Sequence, residues 1–118
     1  MAGEIRLKRV YEPANEDDGV RVLVDRLWPR GVSKERASVD LWLKEAAPSD
    51  ALRRWFHHQP ELWEEFRRRY LAELAAEPPG LEDLRRLAAS GVLTLVYSAR
   101  DPERNQAVVL AGWLRGAR

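Results

Sequence analysis

Apolar and charged side chains alternate over residues 4–10, with Ile5 and Leu7 on one side, and this period of two predicts a half-buried strand at a sheet edge. A polar turn over residues 12–19 follows, in which Asp17 and Asp18 before Gly19 read as turn residues. The pattern then becomes denser. Val20, Val22, Leu23 and Val24 crowd aliphatic side chains into a short strand ending at about Asp25, as a strand covered on both faces requires. VLTLVY, residues 92–97, repeats that signature late in the chain.

Between Ser33 and Ser90 the pattern is helical and no strand is predicted. Ser33 caps a short turn through Ala37, Asp40 opens the helical stretch LWLKEAA that Pro48 stops, and Ser49 caps a helix to about His57. The longest helix spans about residues 61–76. Its Trp63, Phe66, Tyr70 and Leu74 recur every three or four positions on one face, while Glu64 faces Arg68 and Glu65 faces Arg69. Pro78, Pro79 and Gly80 break the chain before a helix over 81–89, which stops at Ser90-Gly91. An amphipathic helix closes the sequence, with Asp101 as its N-cap and Pro102 at its first position. Strand, helical crossover and strand in this order imply parallel pairing through a right-handed connection. The fold class is therefore α/β: a single small domain, residues 1–118, with a mainly parallel three- or four-stranded sheet flanked by helices.

Composition removes several functions. The 118 residues contain no cysteine, which excludes thiol nucleophiles, thiolate metal sites and disulfides. Twenty basic groups against 19 acidic ones leave a net charge of +1, and no block of like charge forms a nucleic-acid footprint, so nucleic acid is not the expected partner. No apolar run approaches the roughly 18 residues of a membrane span, and the expected setting is the cytoplasm, as monomer or homodimer. The basic charge is 17 arginines to 3 lysines, and there are five tryptophans. Trp42, Trp55, Trp63 and Trp113 fall in predicted helices and read as sheet-covering core; Trp28 alone lies in a loop.

Open α/β sheets bind ligands beyond the carboxyl ends of parallel strands, where loops converge and helix N-termini expose backbone N–H groups. Two segments qualify, residues 25–31 (DRLWPRG) and 98–105 (SARDPERN). From them Arg26, Trp28, Arg30, Ser98, Arg100 and Asn105 are candidate ligand-binding residues, and Asp25 and Asp101 are candidate catalytic carboxylates. Guanidinium groups beside an indole and a helix start suit a phosphate-, carboxylate- or nucleotide-like anion. The same residues admit a structural reading, in which Asp25 pairs Arg26 or Arg30, Trp28 fills the core edge, and Asp101 is only a helix cap. His57 and His58 project about 100° apart on a helix and cannot chelate one ion together, and His58 is expected at that helix's C-terminal end. No metal and no cofactor are expected.

The stretches RVLVDRLWPRGVSKERASVDLWLKEAAPS, LRRWFHH, FRRRYLAEL and LTLVYSARDPERNQAVVLAGWL together resemble the short, YeaO-like branch of the family called domain of unknown function 488. The resemblance runs from Arg6 to Leu114, and DRLWPRG is its most specific element. It implies a compact bacterial or archaeal α/β domain. Asp25, Arg26, Trp28, Pro29, Arg30 and Gly31 match the branch signature, as do Lys34, Asp40, Lys44, Pro48, Ser49, Trp55, His58, Tyr97, Asp101 and Asn105. The branch usually reads Asn-His where this chain has Asn105-Gln106, and a longer branch carries Cys-His-Arg there. An amide does not transfer protons at neutral pH. Three functions stay open: an enzyme or former enzyme acting on an anionic small molecule, with Asp25 or Asp101 as base; a module binding such a ligand, or single-stranded nucleic acid, without chemistry; and a partner-binding protein with Trp28 and its arginines as the hot spot.

Overall fold

The alternating segment forms β1 (Glu4–Arg9) and the first dense aliphatic run forms β2 (Val20–Leu23) in the computed structural model, which describes residues 3–57 and 59–116. His58 lies outside the described residues. Ser33 accepts the Arg36 N–H and caps the one-turn helix α1 (Lys34–Ala37). A two-residue strand, β3 (Leu41–Trp42), follows. Ser49 caps α2 (Asp50–Phe56), then come α3 (Trp63–Ala75), α4 (Leu81–Ser90), β4 (Val92–Tyr97) and α5 (Gln106–Gly116). The strands make one parallel sheet in the order β1-β4-β2-β3, so the fold is α/β as expected.

Alternation divides the sheet between two layers. Ile5, Leu7, Val22, Leu93, Leu95 and Tyr97 face the main core with Phe66, Tyr70 and Leu74 of α3, Leu84 of α4 and Leu110 of α5. Leu23 and Val96 face the other way, onto Val10, Val32 and Ala37. Burial on both faces is why these strands read as near-continuous aliphatic runs.

Two local expectations are corrected. The stretch after Asp40 is not a helix: Asp40 donates its N–H to the Arg21 carbonyl (2.7 Å), its Oδ2 accepts the Arg21 N–H (2.8 Å), and Leu43 donates to the Leu23 carbonyl (3.0 Å). The open edge of β2 outcompetes helix propensity there, leaving only a 3₁₀ turn at Lys44–Ala46. Trp42 is accordingly an edge-strand residue, 38% exposed, rather than a core helix residue.

The closing helix begins at Gln106 rather than Pro102, because Asn105 is its cap: Asn105 Oδ1 accepts the Val108 N–H (3.0 Å). Asp101 instead closes the preceding turn, accepting the N–H groups of Glu103 (2.9 Å) and Arg104 (3.1 Å). Asp18 is a turn residue as expected, with burial added. It ends a 3₁₀ turn at Glu16–Asp18 but is only 4% exposed, and it holds Lys8 Nζ (3.1 Å) and Arg21 Nη1 (2.7 Å) on the smaller face of the sheet. On α3 the acid–base pairing is carried by Glu65, which meets both Arg68 and Arg69.

Candidate functional site

Parallel pairing of Leu23 with Val96 brings the ends of β2 and β4 side by side, so the segments after them share one rim. The Ser98 N–H donates to Asp25 Oδ2 at 3.1 Å, and Gln106 donates its side-chain amide to Asp25 Oδ1, tying the two strand ends to the start of α5. Burial pushes the Asp25 carboxyl above the usual carboxylate range, against the opposing pull of Ser98 and Gln106. A third donor fixes the same loop from outside: Trp42 Nε1–H donates to the Asp25 carbonyl at 2.7 Å.

Above this floor lies a pocket of about 290 Å³, lined by residues 25–30, Pro48, Arg53, Phe56, His57, Phe66, Ser98, Ala99 and Gln106. That volume is at the lower end of small-molecule sites. Trp28 forms one wall, anchored by its Nε1–H to the Val32 carbonyl (2.6 Å) and packed edge-on against Trp42 with ring centroids 5.3 Å apart. Phe56 and Phe66, stacked at 4.3 Å, form another.

The arginines divide into two kinds. Arg26 is engaged by the protein, donating from Nε to the Pro48 carbonyl and from Nη2 to the Ala47 carbonyl, each at 3.2 Å. It holds the turn leading into α2 against the rim. Arg9, which sequence reasoning passed over, acts similarly on the opposite side: its Nε and Nη2 donate to the carbonyls of Ala99 (2.8 Å) and Ser98 (3.2 Å). Arg30 and Arg53 are the other kind. Arg30 is an exposed side chain at the pocket, and Arg53, whose Nη2 donates to Asp50 Oδ1 at 3.2 Å, lines it with a buried Nε that has no acceptor among the described residues.

Of the candidates from sequence, Asp25, Arg26, Trp28, Arg30 and Ser98 meet at the pocket. Arg100, Asp101 and Asn105 are not among its lining residues: Arg100 is exposed, Asp101 closes its turn with its pKa held down chiefly by the Glu103 N–H, and Asn105 is the buried cap of α5. The wall from α2 was not anticipated. The sequence places a helix there, capped by Ser49, but no local signal aims Arg53, Phe56 and His57 at residues 25–30. Among the described residues no group of three histidines or carboxylates has an arrangement that could hold a metal ion.

Fold and rim together define a small parallel α/β domain with a pocket at the carboxyl ends of its strands. The chain belongs to the family described as the inactive DUF488-N3 subclade, whose profile matches residues 4–117. Among curated proteins it is 49% identical over 111 residues to "Uncharacterized protein YeaO" of Escherichia coli K12, covering 94% of this chain and 96% of that one. It is 47% identical over 112 residues to "Uncharacterized protein Rv3073c" of Mycobacterium tuberculosis H37Rv, covering 95% and 94% respectively. No solved structure is a significant match.

Proposed function

We propose that this protein binds a small anion of phosphate- or nucleotide-like kind in the rim pocket, and does so without turning it over. The observation that carries the reading is Arg53, whose buried Nε–H lacks an acceptor among the described residues, in a pocket that Arg30 also lines. Leaving such a donor unmade is costly, and an anionic oxygen supplies the acceptor together with opposite charge. Arg26 serves as a positioning residue, and Trp28 with the phenylalanines excludes water from the ligand.

Two further points support binding without chemistry. The family is described as inactive. The residue hydrogen-bonded to the buried Asp25 is Gln106, an amide that neither takes nor gives a proton at neutral pH, and both Asp25 oxygens already accept protein N–H groups. We infer the cytoplasm as the compartment; among the described residues no helix is long and apolar enough to cross a membrane.

The test is thermal unfolding in the presence of phosphate and nucleotides. A ligand at a hundredfold its Kd adds about 2.7 kcal/mol, on the order of 10 °C in Tm for a domain of this size. Arg30→Ala and Arg53→Gln are expected to abolish that rise while leaving the unliganded Tm within a few degrees. A large fall in the unliganded Tm of Arg30→Ala would make this arginine structural and overturn its assigned role. Conversion of any bound ligand to product by the purified protein would overturn the non-catalytic part.

A further inference from the structure

Resting on the anion-binding reading, the uncharged lining of the same pocket points to the rest of the ligand. An inorganic anion makes no use of Trp28, Phe56 and Phe66, which line the cavity with flat apolar rings. A planar ring does, because stacking on aromatic faces is favourable and tolerant of ring identity.

The polar floor is more selective than the walls. Asp25 receives one N–H on each oxygen, from Ser98 and from Gln106, and a further hydrogen bond from the Ser98 side chain, which leaves acceptor capacity for one more donor. Gln106 directs its amide nitrogen to Asp25 and, at 3.5 Å, to the Val24 carbonyl, which leaves its own carbonyl oxygen to offer. The floor therefore presents acceptors. An exocyclic amino group placed there completes it, whereas an exocyclic carbonyl in the same place sets acceptor against acceptor.

We propose that the pocket takes a nucleoside monophosphate whose base carries an exocyclic amino group, with the phosphate on Arg30 and Arg53 and the amino edge donating to Asp25 and Gln106. A cavity of about 290 Å³ suits a ligand no larger than a nucleoside monophosphate with its ribose partly toward solvent. Burial disfavours the charged form of Asp25, and an N–H donor from the ligand offsets that penalty.

Titration calorimetry of the whole protein with AMP, IMP, CMP, UMP and inorganic phosphate tests this directly. AMP is expected to bind about tenfold tighter than IMP, and CMP about tenfold tighter than UMP, because each pair exchanges an amino group for a carbonyl at the exocyclic position that meets the floor, the neighbouring ring nitrogen gaining a hydrogen in IMP and UMP. Asp25→Asn introduces an amide donor into the floor, and it is expected to narrow both preferences below about threefold while leaving phosphate binding in place. Equal affinities within each pair, with phosphate still bound through Arg30, would overturn this inference and leave the anion-binding reading standing. Failure of all five compounds to bind would remove both. A folded Asp25→Asn variant that keeps the tenfold preference would overturn the floor as the selecting element. The comparison of AMP with IMP on the unaltered chain needs no variant to fold.

Discussion

Asp18 and Asp25 are both buried carboxylates, and their surroundings move them in opposite directions. At Asp18 burial raises the pKa, but hydrogen bonds from the Asn15 N–H, Lys8 and Arg21 outweigh it and hold the group below its ordinary value. Its stabilising contribution is therefore present above the ordinary carboxylate value of about 3.9 and is lost as pH falls through the lower folded value. At Asp25 burial prevails, so its contribution is present in acid and is lost as pH rises through the raised folded value. Asp18→Ala is expected to cost about 3 kcal/mol at pH 7, since it leaves the buried Arg21 guanidinium without its carboxylate. Urea unfolding at pH 7 and again near pH 2.5 checks both magnitude and sign: the gap from the parent protein should close in acid. A loss below about 1 kcal/mol at pH 7 would show that the Ala37 and Ser38 carbonyls, which also accept from Arg21, suffice alone.

Among the elements, the two strands with dense aliphatic runs and the 3.6-period stripe of α3 were legible in sequence because each is specified by its own neighbours along the chain. β3 was not. Its residues carry a helical pattern, and it becomes a strand only because β2, nearly twenty residues away, presents an unpaired edge that Asp40 and Leu43 satisfy. The start of α5 was misplaced for a related reason: Asp101 and Pro102 look like a helix start in isolation, while the cap that operates is Asn105, buried against the sheet. Asn105→Ala is accordingly expected to cost about 1–2 kcal/mol, since it removes a cap and a buried amide that also donates to the Asp101 carbonyl (2.8 Å). Asp101→Ala should cost less than Asn105→Ala. Equal losses in chemical denaturation would restore Asp101 as the cap. The site follows the same division. The DRLWPRG loop announced itself through residue types, but the α2 wall that completes the pocket is brought there by tertiary packing, including the Arg26 bonds to the turn before α2.

On the scale of the molecule, near-neutral charge proved a guide to what the surface does. Half of the ion pairs among the described residues are contacts within one helix, such as Arg53–Asp50, Arg69–Glu65 and Arg85–Glu82, so much of the arginine excess is absorbed locally. Exposed pairs of this kind add little and are screened by salt. Raising NaCl from about 0.05 to 0.5 M should therefore move the calorimetric Tm by less than about 3 °C, whereas phosphate-ligand affinity should fall over the same range. A Tm that tracks salt steeply would mean that the surface pairs act as a network. The strand order has a different consequence, for how the protein is made. β4 is the sheet's central partner, hydrogen-bonded to both β1 and β2, and it is the last strand to leave the ribosome. Until residues 92–97 are synthesised, β1 has no strand to pair with and β2 has only the two-residue β3, so the nascent chain carries bare strand edges of the kind that invite aggregation. Sheet assembly must wait until β4 has been synthesised, and a chain ending at Gly91 is expected to show no cooperative unfolding transition.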